Sequence, residues 1–292
     1  METAAPWFLR LCGKYGFENE ADALAALLRP SIALVRTDAD TLVLGSSRIG
    51  GGPDAPLDFV WPESGGRSLD FVLQLNLADV PDGAGLGLPR TGVLSFFYDF
   101  ETQPSGNSAE ERDGHRVYLS QNADLVARHP PSDSELALGP AALTLARGLR
   151  LPHPFSADGE QAIRQLRAQG IAWDEKRDFQ YFDLVAAAAE HHAGVGKPLH
   201  ALGGYAHNVQ GDMQLKAELL TRAFATQPKD RSVPSEHSDQ APANLRWKLL
   251  LQLDSDDMDE MWGDSGMLYY WVRSDHLLAE DFSSTWMIQQ SC

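Results

Sequence analysis

The stretch that most constrains this chain runs from residue 249 to residue 271. Leu249, Leu250, Leu251 and Leu253 form an apolar run that ends in Asp254, Asp256 and Asp257. Trp262-Gly263-Asp264 follows, and then Met267-Leu268-Tyr269-Tyr270-Trp271. Short apolar, aromatic runs bounded by turn chemistry read as buried strands, so the stretch predicts strand, acidic connection, strand. The same outline appears between residues 69 and 98. Leu73-Gln74-Leu75-Asn76 aligns with Leu251-Gln252-Leu253-Asp254, and Gly92-Val93-Leu94-Ser95-Phe96-Phe97 with Gly266-Met267-Leu268-Tyr269-Tyr270-Trp271. Upstream, Ile49-Gly50-Gly51 matches Leu202-Gly203-Gly204. The repeated order predicts two pseudo-symmetric halves from an internal duplication, and a cleft between them is a natural place for a ligand.

The chain reads as one domain of 292 residues in four parts. Residues 1–44 are a helical and strand segment, 45–120 the first half, 121–198 a helical middle, and 199–292 the second half. Trp7, Phe8, Leu11 and Tyr15 lie at helical spacing, and the Ala- and Leu-rich residues 21–29 read as helix stopped by Pro30. Short strands are expected around Ile32 and Leu34 and at residues 42–44, joined by Thr37-Asp38-Ala39-Asp40. Further strands are expected at 69–76, 93–98, 115–120 and 284–290, and helices at 160–169 and 179–192. Periodicity leaves 141–151 open between strand and helix. The polar, proline-bearing residues 227–243 are expected to be the most mobile.

With 43% hydrophobic residues the chain can bury a sizeable core, and its formal net charge is −17. That charge argues against a nucleic-acid binder or a partner of anionic membranes, since neutralising phosphates takes clustered Lys and Arg. No apolar stretch approaches the roughly 20 residues that span a bilayer. Glu2 precedes the first basic residue and no long apolar segment follows, so no secretory signal is read. Cys12 and Cys292 form no CxxC pair, which excludes a zinc ribbon or thioredoxin site and is compatible with a reducing, cytoplasmic setting.

The chemical motifs are incomplete. Gly50-Gly51-Gly52-Pro53 satisfies neither dinucleotide nor phosphate-loop spacing, and only Arg48 beside it suits an anion. The carboxylates Asp254, Asp256, Asp257, Asp259, Glu260 and Asp264 lack a neighbouring base. An EF-hand fails because Met258 and Asp259 stand where Asp or Asn and then Gly are required, leaving Asp254, Asp256 and Asp257 as a looser divalent site. Gly263-Asp264-Ser265-Gly266-Met267 looks like the nucleophile segment of chymotrypsin-like proteases. Met267 replaces the glycine, and no segment supplies the histidine. Glu190-His191-His192 is not a zincin motif.

Taken together, Arg48-Ile49-Gly50-Gly51-Gly52-Pro53, Trp61-Pro62, Leu77-Ala78-Asp79-Val80, residues 249–257, Trp262-Gly263-Asp264-Ser265-Gly266 and Asp281-Phe282-Ser283 resemble the YwqG-like family, bacterial proteins with a domain of unknown function. The resemblance implies an α+β fold, mainly antiparallel sheets with flanking helices, and no activity. By association with secreted toxins it suggests an immunity or antitoxin role. The leading expectation is therefore a non-enzymatic cytoplasmic binding protein that meets a protein partner with a basic surface and needs no cofactor. The alternative is a small-molecule or divalent-metal module with Arg48, Gln74, Gln252, Asp254, Trp262 and Asp264 at the cleft. A hydrolase would draw on Asp256, Asp257, Asp264 and a distant histidine.

Overall fold

A strand of bulky apolar residues can bury both faces only in a sheet covered on both sides, and this chain builds one. The computed structural model describes residues 4–37, 42–81, 85–121, 124–134, 138–194, 198–225, 246–255, 262 and 265–291. Helix α1 (Pro6–Lys14) and the short α2 (Ala21–Ala25) precede β1 (Arg29–Thr37). The first arm holds β2 (Arg48–Ile49), β3 (Asp54–Ala55), β4 (Glu63–Ser64), β5 (Arg67–Ser68), β6 (Asp70–Asn76), β7 (Val93–Tyr98), β8 (His115–Ser120) and β9 (Val126–Ala127). Then come β10 (Ala141–Arg150), α3 (Ala157–Ala168), α4 (Glu175–Ala193), β11 (Ala201–Leu202), α5 (Met213–Ala225), β12 (Trp247–Asp254), β13 (Met267–Arg273), a one-turn helix Ser274–Leu278 and β14 (Trp286–Gln290).

Ten strands join one antiparallel sheet in the order β14-β13-β12-β11-β1-β10-β2-β6-β7-β8, while β3–β9 and β4–β5 are separate two-strand ribbons. The middle is the β1–β10 pair, in register from Arg29 opposite Arg150 to Thr37 opposite Ala142. Outward from it the two arms present the same contacts. A two-residue strand pairs next on each side (β2 and β11), then β6 and β12, which carry register shifts at Phe71/Leu73 and Leu249/Leu251. Gly50 N donates to Val72 O at 2.8 Å and Gly203 N to Leu250 O at 3.1 Å. The glycine pairs that turn the chain there, Gly50-Gly51 and Gly203-Gly204, all have φ between +68° and +77°, a region costly for residues with a Cβ.

The sheet curls until it is nearly barrel-shaped. Its interior is one cluster drawn from both arms, including Leu73, Leu75, Phe96, Leu251, Leu253, Tyr270 and Met287. The outer face of the second arm packs Trp247, Tyr269, Trp271 and Ile288 against Met213 and Leu220 of α5. Helix α4 lies over β10 and β1. Its start is capped by Asp174, which accepts from Arg177 N at 3.0 Å, and it ends at Gly194 with φ +102°. With α1 and α2 it encloses Phe8, Phe17, Leu24, Tyr181 and Leu184.

The structure corrects three local expectations. Residues 42–44 form no strand, because β1 finds a nine-residue partner in β10 rather than a local hairpin. Pro30 does not stop a helix; α2 ends at Ala25 and Pro30 lies at the second position of β1, on a stretch that β11, pairing only with Ile32 and Ala33, does not reach. Helix α5 answers to no element expected from the sequence. The open segment 141–151 is strand, the helices expected at 160–169 and 179–192 are α3 and α4, and residues 227–243 lie outside the described residues.

The two ends of the sheet are tied through the β7–β8 connection. Gln289 N donates to Ser105 O at 2.9 Å, Trp286 Nε1 to Gly106 O at 3.0 Å, and His115 Nε2 to Thr285 O at 3.0 Å. Gly106 has φ +69°, and a Cβ there would collide with the Met287 carbonyl. Gly106→Ala should therefore lower unfolding free energy by at least about 2 kcal/mol, as read by urea denaturation.

Candidate functional site

The glutamines that end the repeated strands each organise a buried polar network. In the first arm, Gln74 Oε1 accepts from Asp54 N at 2.7 Å. Gln74 Nε2 donates to Ser46 O and to Asp54 Oδ2, both at 2.9 Å. Arg48 clasps the Asp54 carboxylate with two hydrogen bonds of 2.7 Å, and Gly45 N adds one of 2.6 Å. Its remaining donors reach Gly52 O at 3.1 and 2.6 Å. Burial alone would raise the Asp54 pKa, but the bonds from Arg48, Gly45 and Gln74 hold it below the ordinary carboxylate range. The network pairs Arg48 with Asp54 and engages four of its five N–H donors, so it fixes the glycine loop.

The second arm repeats the scaffold. Gln252 Oε1 accepts from His207 N at 2.8 Å and Gln252 Nε2 donates to Leu199 O at 2.8 Å. A guanidinium again joins, this time Arg150, at 3.2 Å from Gln252 Oε1. Asp254 Oδ2 accepts from Leu199 N at 3.0 Å, and Asp254 N donates to His200 Nδ1 at 3.0 Å, as Asn76 N does to Ser47 Oγ at 2.9 Å. The structure thus brings Arg48 together with Gln74, and Gln252 together with Asp254 around Leu199, in two separate places. Trp262 is buried in the core, edge-on to Tyr98 and Phe100. Asp256, Asp257 and Asp264 lie outside the described residues. Among the described residues no group of three or more His, Cys, Asp or Glu could hold a metal ion.

A cleft opens instead at the seam where the sheet's two ends approach. A chamber of about 260 Å³ lies among Arg112, Arg222, Arg273 and His276, walled by Trp247 and Trp286. Through Arg112 it adjoins a chamber of about 540 Å³ beside Arg116, Tyr118, Glu280 and Asp281. Behind the smaller chamber Glu218, 1% exposed, accepts from Trp247 Nε1 at 2.8 Å and Arg222 Nε at 2.6 Å, with Arg273 at 3.8 Å. Glu218 therefore orients Arg222, while Arg273 is held by Asp275 through hydrogen bonds of 3.1 and 3.0 Å. The three arginines come from the β7–β8 connection, α5 and β13, and sequence spacing does not unite them. The available signal was a set of arginines in an acidic chain.

Nucleophilic chemistry is poorly served at the seam. Ser283 Oγ donates to Asp281 Oδ1 at 2.6 Å, and His276 Nδ1 lies 3.1 Å from Asp281 Oδ2. The carboxylate stands between hydroxyl and imidazole, whereas activating the hydroxyl requires the imidazole beside it.

An antiparallel, nearly barrel-shaped α+β protein with a basic cleft at the seam is the class that this geometry defines. The chain belongs to the family described as a domain of unknown function (DUF1963), which matches residues 47–292 and leaves β1 outside the match. Comparison with curated proteins finds no match. No helix among the described residues is long and apolar enough to cross a membrane.

Asp54→Ala, which strands the buried Arg48 guanidinium, should cost about 3–5 kcal/mol in denaturant unfolding. Burial holds His115 and His153 at about 4, below the ordinary 6.5. Above pH 6.5 both states are neutral and stability is unaffected. Between 6.5 and 4 the unfolded chain takes protons the folded one refuses, so stability falls with pH by up to about 1.4 kcal/mol per unit for each histidine. Calorimetry should show Tm dropping from pH 7 to pH 5, with a shallower slope in His153→Gln.

Proposed function

We propose that this protein is a non-enzymatic binding protein whose ligand is a small molecule bearing a carboxylate or phosphate, held in the seam chamber. The observation that carries this reading is the convergence of Arg112, Arg222 and Arg273 on one chamber of about 260 Å³ in a chain of net charge −17. Guanidinium groups bind such oxyanions through planar, charge-assisted hydrogen bonds, and the tryptophans supply apolar surface for the rest of the ligand. The seam joins the two arms, so the site lies in a cleft between them. The matched bridges at the glycine pairs and the matched strand irregularities support descent of the arms from one duplicated unit. The motifs resembling YwqG-like proteins begin at Arg48 and fall inside the family match.

The net charge favours a second reading, an acidic face that meets a basic protein partner in the manner of an immunity protein. Such binding would weaken steeply with salt.

Isothermal titration against a panel of organic carboxylates and phosphates tests the seam. At least one ligand of the panel should bind Arg112→Ala or Arg222→Ala about 10- to 100-fold more weakly than wild type, the effect of losing a charge-assisted hydrogen bond. Unchanged affinity in both variants for every ligand that binds, or no binding across the panel, would refute the assignment.

A further inference from the structure

The two polar networks differ at two informative positions. The loops leading into them run in step without insertion, from Ser46 and Leu199 to Asp54 and His207. Ser46 O and Leu199 O accept from the two glutamines, and Asp54 N and His207 N donate to the same glutamines at 2.7 and 2.8 Å. Gly52 O and Tyr205 O accept from the two arginines, so the guanidinium groups occupy corresponding places. In the first arm the guanidinium belongs to Arg48; in the second, Ala201 stands at that position and Arg150 reaches in from β10. Where the first arm has Asp54, the second has His207.

The exchange removes the directly paired carboxylate. Among the described residues Arg150, 6% exposed, donates only to Tyr205 O, Gln252 Oε1 and Leu199 O, at 3.4, 3.2 and 3.0 Å, and makes no ion pair. Asp254 acts on it through space, but its carboxylate receives the Leu199 N–H. A buried cation without a partnered anion is costly and uncommon. Unused polar atoms lie nearby: among the described residues His207 Nδ1, and His153 Nε2 on the ring next to His207, are buried without a hydrogen-bond partner. His153 Nδ1 accepts from Phe155 N at 3.4 Å, which places its proton on Nε2, as a donor. The His153 and His207 rings are 5.6 Å apart. On the solvent side, Phe155 (56% exposed) and Phe182 stand edge-on to His153 at 5.6 and 5.4 Å.

We propose that the second arm takes from outside the carboxylate that the first arm carries as Asp54: a small organic acid binds at Arg150, His207 and His153, with its apolar body against Phe155 and Phe182. The exposed Phe155 and Phe182 rings favour an acid with an apolar tail over an inorganic anion, because it gains apolar contact as well as charge pairing. This site is distinct from the seam and stands independently of it.

The test is a thermal-shift titration with phenylacetate in carboxylate-free buffer at constant ionic strength, beside neutral phenylacetamide. Phenylacetate should raise Tm by several degrees and phenylacetamide should not, since only a ligand that prefers the folded state stabilises it. His207→Asp should restore the internal carboxylate, raise the ligand-free Tm and abolish the response. Phe155→Ala should keep the ligand-free Tm and shift the response to several-fold higher concentration. Arg112→Ala, at the seam, should leave the response intact. Equal shifts from acid and amide, no shift at all, or a full response in His207→Asp would overturn the proposal.

Discussion

The fold depends on the nine-residue pairing of β1 with β10. Both arms hang from it: β11 attaches to β1 at Ile32 and Ala33, and β2 attaches to β10 at Ala141 and Ala142. A two-residue strand cannot hold a sheet edge by itself, so β2 and β11 exist because a long strand lies beside each. The pair closes a loop of more than a hundred residues, an entropic cost that grows slowly with length and is offset by the apolar cover of α4. Since the family match begins at residue 47, this chain's central strand β1 comes from a segment outside the matched region.

Equivalent backbone frames need not do equivalent work. Both arms turn on a glycine pair, bulge at the same point of the next strand and bury a glutamine that staples the loop. Changing two side chains within that frame turns a self-neutralised clasp, Arg48 with Asp54, into a guanidinium surrounded by histidines. Buried hydrogen-bond geometry is set by the backbone, while the charge of the site is set by single residues, and the two can vary separately.

The seam shows what curvature adds. A flat sheet of this order would leave β8 and β14 as exposed edges, which invite pairing with other chains. Curling brings the edges together, ties them through Ser105, Gly106 and Thr285, and leaves a cleft where the closure is incomplete. Arginines distant in the chain meet there because the sheet's first and last strands become neighbours.

Much of the strand plan was legible in the sequence. The bulky runs at 70–76, 93–98, 247–254 and 267–273 announce themselves by composition, and the paired motifs around Gly50 and Gly203 show the recurrence, because local sterics and burial dictate both. Helix α5 and the full length of β1 were not legible. β1 owes its extent to a partner over a hundred residues away, and α5 packs against strands that follow it in the chain. The sequence also marked Arg48, Gln74, Gln252 and Asp254 as unusual polar residues at strand ends. It could not show that Arg48 is already neutralised by Asp54, that Arg150 joins Gln252, or that Arg112, Arg222 and Arg273 share a chamber. Those outcomes depend on which side chains the curled sheet brings within hydrogen-bond reach, and only the tertiary structure decides such distances.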